Sequence, residues 1–501
     1  MSQTANLPVP VRYRNLIGGE QAEPSNGKWI ASLNPYTGKV WADVPRCGPA
    51  DVDAAVKAAY AAFQSPAWAG LKPTARGKLL LRLSELIDRE AERLAIIEVR
   101  DNGKLMAEML GQVRYLSEWY RYFGGLADKI EGSVIPTDKS AMFNYTRHEP
   151  LGVVVAITPW NSPLLLLGWK LAPALAAGNT VVVKPSEYTS ASTLEFVKLF
   201  HEAGFPPGVV NTVTGYGAEV GDALVTHPLV AKIAFTGGDM TGAHIGQLAA
   251  KHIKKVTLEL GGKSPNIVFD DANLDDALMG VIAGIFGASG QTCIAGSRLL
   301  VQRSAHDQFV EKLVAFARTA HLGDPALATT QVGPITTLPH RDKVLGYIDI
   351  ARGEGARCVL GGGRPSDPAL SEGWFVEPTI FVGVDNQMRI AQEEVFGPVL
   401  SVIPFDDEAD AIRIANDINF GLAAGVWTRN ISRAFLMSER LQAGTVWVNT
   451  YRAVSYMSPF GGYKRSGIGR ESGQEAIREY LQTKSVWMSL AEGMPNPFVL
   501  R

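Results

Sequence analysis

Leu151-Gly152-Val153-Val154-Val155-Ala156-Ile157-Thr158-Pro159-Trp160-Asn161-Ser162-Pro163 is the stretch that decides the fold of this chain. Its first half is apolar and β-branched, as in a strand buried on both faces, and its second half is a loop opening a helix near Pro163. Beyond it, short apolar runs alternate with helical patterns: Val153 to Ile157, Thr180 to Lys184, Val209 to Val213, Ile233 to Thr236 and Lys255 to Leu260. This alternation predicts a parallel α/β sheet. A second α/β unit is expected from about Lys263 to Glu471, with strands at Asn266 to Phe269, Arg298 to Gln302, Val399 to Phe405, Ala424 to Trp427 and Thr445 to Val448. Upstream, Asp51 to Ala62 and Thr74 to Asn102 place apolar residues at helical spacing and read as amphipathic helices covering a sheet.

At 501 residues the chain is too long for one ordinary core and is expected to form two or three domains. A net charge of −2, dispersed along the sequence, gives no basic stripe for nucleic acid and points to small-molecule partners. Cys47, Cys293 and Cys358 are odd in number and unpaired in spacing, which argues against a disulfide framework and for a reducing compartment. The eight histidines lack the short spacing of zinc ligands, and no metal is expected. No apolar run follows Arg12 and Arg14, so no secretory signal is read and a cytoplasmic location is expected. The most apolar region, Leu151 to Val183, is broken by Pro159, Asn161, Pro163, Lys170, Pro173 and Asn179, and no membrane span is expected.

Three segments carry chemistry. Cys293 lies in Gly287-Ala288-Ser289-Gly290-Gln291-Thr292-Cys293-Ile294-Ala295-Gly296, where small neighbours let a substrate approach a nucleophilic sulfur. Glu259, in Leu258-Glu259-Leu260-Gly261-Gly262-Lys263, is a carboxylate able to act as base or to activate water. Asn161 ends the decisive strand and reads either as an oxyanion donor or as the cap of the following helix. A lone cysteine is more often a small buried hydrophobe than a nucleophile, so Cys293 alone does not settle the chemistry.

With Val183-Lys184-Pro185-Ser186-Glu187, Ala234-Phe235-Thr236-Gly237-Gly238, Glu393-Glu394-Val395-Phe396-Gly397-Pro398 and Pro459-Phe460-Gly461-Gly462-Tyr463-Lys464, these segments resemble the NAD(P)-dependent aldehyde dehydrogenase superfamily in order and spacing. The resemblance implies a Rossmann-type cofactor domain from residues 1–131 and 151–262, an α/β catalytic domain from 263–471, and a small oligomerisation sheet from 132–150 and 480–501. It implies a homodimer or homotetramer, and an aldehyde oxidised to a carboxylic acid. Cys293 would form a thiohemiacetal whose oxyanion is held by Asn161 and the Cys293 N–H, and Glu259 would activate water against the thioester. Lys170 and Glu471 match positions that pass the proton onward, two solvated charges being the other reading.

Cofactor contacts are implied for Thr158, Pro159 and Trp160, for Lys184, Ser186 and Glu187 at the adenosine ribose, for Phe235, Thr236, Gly237, Gly238 and Gly242 at the pyrophosphate, and for Leu260, Gly261, Glu394 and Phe396 at the nicotinamide end. Glu187 favours the free 2′-hydroxyl of NAD, with NADP still possible. Gly238 replaces a serine common in the family, and the glycines do not follow the usual dinucleotide fingerprint. The implied substrate tunnel holds Ser162, where an aromatic residue is common, with Leu166, Trp169, Arg452 and Phe460, flanked by Tyr451 and Tyr456. That mouth reads as wide and polar. Arg452 suits a distal substrate carboxylate, or is a solvent-facing loop arginine. The alternatives are a coenzyme A-acylating semialdehyde dehydrogenase, which Glu259 argues against, and a non-catalytic binding or structural protein on the same fold.

Overall fold

The structure, a computed structural model, describes residues 10–493 and 496–498, so part of the expected assembly segment 480–501 lies outside the described residues. Val153–Ile157 is the third strand of a six-stranded sheet ordered Val210–Thr212, Thr180–Lys184, Val153–Ile157, Val230–Thr236, Lys255–Glu259, Gly467–Ile468. The first five run parallel. Period two divides this sheet between two cores. Val153, Val155, Val182, Ile233, Phe235 and Leu258 pack with the helix Pro49–Gln64. Val154, Ala156, Val181, Val183 and Ala234 pack with the helices Pro73–Asn102, Met106–Leu126 and Pro163–Ala176.

The second sheet has seven strands, ordered Arg357–Leu360, Thr379–Val382, Val399–Phe405, Arg298–Gln302, Pro265–Val268, Ala423–Trp427, Thr445–Val448. The two strands at its Arg357 end were not anticipated, and only Arg357–Leu360 runs antiparallel to its neighbour. Helix Met106–Leu126 was also not anticipated, although its buried Met109, Val113, Leu116, Tyr120 and Phe123 recur every three or four residues. The expected second unit does not stay in its own sheet. Gly467–Ile468 returns to the first, pairing antiparallel with Leu258 and Glu259. The Leu260 N–H donates to the Ser466 carbonyl (2.9 Å), so the end of the Glu259 strand is fastened from both sides.

The stretch Gly132 to His148 and the alternating segment near Lys484 join in a third, antiparallel sheet. Met142–Pro150 pairs along its length with Leu481–Ser489 and on its other side with Val134–Ile135. Val134, Trp487, Met488 and Leu490 are exposed on or beside it.

Candidate active site

The loop bearing Cys293 is held in a shape that most residues avoid. Ala288 and Ser289 adopt φ of 56° and 53° and Gly290 follows at 70°, three successive left-handed residues. Such a run persists only where the surroundings over-determine it. Ser289 Oγ donates to the Gly333 carbonyl (2.8 Å), Gln291 Nε2 donates to the Pro334 carbonyl (3.2 Å), and Gln291 Oε1 accepts from the Thr336 N–H (2.9 Å). Tyr451 Oη donates to the Ile294 carbonyl (3.1 Å) on the far side of Cys293. Among the described residues the Cys293 N–H makes no hydrogen bond to another residue. The thiol keeps some exposure, yet burial, with Glu394 and Glu259 adding their charge, pushes it up to about 12.

Asn161 does not cap the helix. The capping position belongs to Ser162, followed by Pro163 at the first helical residue. Asn161 Nδ2 instead donates to the Gln291 carbonyl (3.0 Å), which ties the end of the decisive strand to the cysteine loop. A carboxamide nitrogen carries two protons, so one remains for an oxygen near Cys293.

Glu259 is buried, and neither of its carboxylate oxygens has a hydrogen-bond partner. Burial and the nearby Glu471 hold its carboxyl well above the usual carboxylate range. Lys170 and Glu471 are not solvated charges. They are fully buried and form an ion pair, and Lys170 Nζ also donates to Thr236 Oγ1 (2.7 Å).

Most of the expected cofactor residues follow the carboxyl ends of the first sheet's strands, where open α/β sheets bind ligands, whereas Glu394 and Phe396 precede the second-sheet strand Val399–Phe405. The Thr158 N–H donates to the Lys184 carbonyl (3.1 Å), and Lys184, itself buried, reaches Glu187 (3.2 Å). Gly238 starts the helix Asp239–Lys251 without a side-chain cap, leaving the first N–H groups uncovered by a side chain. A Cβ on Gly242 would lie 2.4 Å from Leu260, and one on Gly237 2.4 Å from Phe235, so a side chain at either glycine would have to push a neighbouring side chain aside. The Glu-Glu pair splits. Glu393 turns to Arg389 and Tyr347, each at 2.7 Å, while Glu394 accepts from the Gly262 N–H (3.1 Å) and would touch any side chain on Gly261. Phe396 has φ of 59° and packs edge-on to Trp160 at 5.2 Å. His340, which sequence reasoning passed over, donates from Nε2 to the Phe396 carbonyl (2.7 Å) and contacts Trp160; burial holds its imidazole down to about 4. These donors, acceptors and Cβ-free cradles fit a dinucleotide.

On the substrate side, Trp169 stacks on Trp119 (5.5 Å) and meets Phe460 edge-on (5.1 Å), and Leu166 is buried in the same core. Trp119 was not anticipated, nor was Lys104. The left-handed Gly103 (φ 74°) ends helix Pro73–Asn102 and turns the chain inward. Lys104 follows, buried, and its Nζ donates to Ser162 Oγ (3.1 Å). Burial lowers this ammonium to about 8, while Glu108 opposes the fall and Arg452 adds to it. Arg452, with φ of 66°, is half-buried rather than free in solvent; its Nη1 donates to the Ala283 carbonyl (3.0 Å). Lys104 thus reaches Ser162, and the charge of Arg452 acts on Lys104.

The family model described as the aldehyde dehydrogenase family matches residues 22–486. A (Z)-2-((N-methylformamido)methylene)-5-hydroxybutyrolactone dehydrogenase of Acinetobacter baylyi is 48% identical over 473 residues, 94% of this chain and 96% of its own. A betaine aldehyde dehydrogenase of Bacillus subtilis is 44% identical, covering 94% of this chain and 98% of its own. The crystal structure of betaine aldehyde dehydrogenase from Staphylococcus aureus in complex with NAD+ superposes with a TM-score of 0.96 at 41% identity, covering 97% of this chain and 96% of that one. No helix among the described residues is long and apolar enough to cross a membrane. With the cysteine loop, the buried glutamate and the sheet ends all answering to one pattern, the chain belongs to the aldehyde dehydrogenase family.

Proposed function

We propose that this protein oxidises an aldehyde to a carboxylic acid with NAD, through a covalent Cys293 intermediate. The observation that carries the reading is the convergence on Cys293 of three separate segments: Asn161 on Gln291, Gly262 against the Cys293 carbonyl, and Glu394 on Gly262. The Cys293 sulfur, as thiolate, adds to the aldehyde carbon, and the spare Asn161 proton and the Cys293 N–H donate to the resulting oxyanion. NAD, when bound, supplies the acceptor for the hydride that leaves this carbon. Lys184 and Glu187 would hold the adenosine ribose, the uncapped helix start at Gly238 would take the pyrophosphate, and Glu394 would hold the nicotinamide ribose. Glu187 would repel a 2′-phosphate, which favours NAD over NADP. Glu259, freed of hydrogen-bond partners and raised by burial, takes the proton of the water that attacks the thioester, and Lys170 with Glu471 passes it onward.

The cofactor domain is assigned to residues 1–131 and 151–262 and the catalytic domain to 263–471. The exposed apolar residues of the third sheet support pairing of copies through 132–150 and the C-terminal strand, in a dimer or a dimer of dimers. Three free thiols suit the cytoplasm. For substrate, the cations Lys104, on Ser162, and Arg452 favour an aldehyde with a distal anionic or polar group.

The test is NADH formation over a panel of neutral, quaternary-ammonium and carboxylated aldehydes, with NAD or NADP and without coenzyme A. Turnover with NAD that disappears in Cys293→Ala is the expected result. Dependence on coenzyme A, or turnover that survives the substitution, rejects the reading.

A further inference from the structure

The face of the first sheet that buries Val154, Ala156 and Ala234 turns polar along the strands Val230–Thr236 and Lys255–Glu259. The parallel register Lys232↔Lys255, Ala234↔Thr257, Thr236↔Glu259 puts Lys232, Thr236, Thr257 and Glu259 on the same side, while Ile233, Phe235 and Leu258 fill the core on the other. Helix Pro163–Ala176 covers the polar side and brings Lys170; the segment Gln474–Tyr480 brings Tyr480. Glu259 Oε1 and Oε2, Glu471 Oε2, Thr257 Oγ1, Tyr480 Oη and Lys232 Nζ are all buried and close no well-formed hydrogen bond among the described residues, although the Tyr480 and Thr257 hydroxyls lie near each other. Buried polar atoms rarely go unpaired, and where protein offers no partner, water does. Six such atoms in one stripe therefore describe a hydrated track rather than six separate defects.

The stripe has an outlet. Lys232 is fully buried, its Nζ lying 5.0 Å from the centre of the Tyr480 ring and 3.8 Å from Glu479, whose side chain is 34% exposed. Gly469 packs closely against this end: a Cβ there would stand 2.7 Å from Thr257 and 3.3 Å from Glu479. From Thr236 to Lys232 the track runs about 13 Å, four residues of strand.

We propose that Lys232, Thr257, Tyr480 and Glu479 form the outer half of a proton-exit track that starts at Glu259 and reaches solvent at Glu479. This rests on the reading of Glu259 as the base for hydrolysis. In that step water forms a C–O bond to the thioester carbon and one of its protons moves to Glu259; the C–S bond then breaks and the thiolate returns. Glu259 must lose that proton before the next turnover, and the charged groups nearest it among the described residues are the buried Glu471 and Lys170 and the half-buried Arg470. Glu471 and Lys170 lie at the inner end of the stripe. Lys232, lowered to about 8 by burial against the opposing pull of Glu479 and Glu471, with Lys255 and Lys170 lowering it further, exchanges a proton near neutral pH.

The experiment uses the full-length enzyme with NAD and a labelled aldehyde, with rapid acid quench to follow the acyl-enzyme directly. In Lys232→Met the acyl-enzyme should form at the wild-type rate and be hydrolysed about tenfold more slowly, less than removal of a general base would cause. Added imidazole should restore hydrolysis, and the solvent isotope effect on that phase should rise. Glu479→Gln should give a milder form of the same pattern, and Tyr480→Phe provides a second interior variant should Lys232→Met not fold. Hydrolysis unchanged in all the folded variants, or a loss shared by formation and hydrolysis and not rescued by imidazole, overturns the track. Glu259→Gln separates the two readings: if it hydrolyses its acyl-enzyme normally, the assignment of Glu259 has failed, whatever the track does.

Discussion

Gly262 and Cys293 are in direct contact: a Cβ on the glycine would stand 2.6 Å from the cysteine's carbonyl oxygen and 3.1 Å from Leu422. The turn that follows Glu259 is thereby pressed against the peptide of the nucleophile. Gly262→Ala must displace backbone, so it should cost about 1–3 kcal/mol of stability. It should also lower kcat while leaving the quaternary structure intact. Urea unfolding and steady-state kinetics check both, and an alanine variant with wild-type kcat would show that the contact does not position Cys293.

The reactivity of Cys293 should follow its surroundings. With the thiol pushed up by burial, Glu394 and Glu259, the thiolate fraction in cofactor-free protein grows steadily with pH. Inactivation by iodoacetamide should therefore keep rising through about pH 9 without a plateau. Glu394, held up to about 7 by burial, is an anion over most of that range, so Glu394→Gln should move the curve to lower pH. The cationic ring of bound NAD should act in the same direction. A plateau near neutrality in cofactor-free protein would contradict this account.

Asn161→Ala removes both the oxyanion donor and the tie to Gln291. The expected loss is about 100- to 1,000-fold in kcat, as for other single oxyanion donors, with KM little changed. A change confined to KM would instead make Asn161 a substrate-binding residue.

Lys170→Met leaves Glu471 buried without its counter-charge, because both side chains are inaccessible to solvent. Breaking one partner of a buried pair should cost about 3–5 kcal/mol, and adding Glu471→Leu should recover most of it. Urea unfolding of the single and double variants tests this. A double variant no more stable than the single would mean that the two charges do not balance each other.

Substrate choice should respond to the cations Lys104 and Arg452. Arg452→Ala and Lys104→Met should each raise KM for carboxylated aldehydes more than for neutral ones. Equal effects on both classes, or a preference for the quaternary-ammonium substrate, would assign the mouth to the aromatic wall of Trp119 and Trp169 instead.

Much of this architecture was legible because period and composition report local structure faithfully. Val153 to Ile157 and Thr180 to Lys184 are strands at the expected residues, since continuous β-branched runs buried on both faces have few other uses. Arg357–Leu360 was not recognised: it is a four-residue edge strand that opens on arginine and carries no alternating pattern. Helix Met106–Leu126 did carry a usable spacing that was overlooked. Lys104, Trp119 and His340 were illegible for a different reason. Each owes its place to residues far away in sequence, Ser162, Trp169 and Phe396, and no local pattern announces a partner of that kind. Glu259 and Cys293 could be named from motifs, but the burial that sets their proton affinities belongs to the assembled core.

The third sheet joins Met142–Pro150 to Leu481–Ser489, strands about 330 residues apart in the chain. Ribosomal synthesis completes the first strand long before the second exists, and the growing chain must carry an unpaired strand edge until Leu481–Ser489 emerges. Closing so distant a pair comes late and slowly, since loop-closure entropy weighs against it until both intervening sheets have formed. Leu481–Ser489, the last strand among the described residues, hides this edge, and removing it should promote aggregation before it alters any group near Cys293.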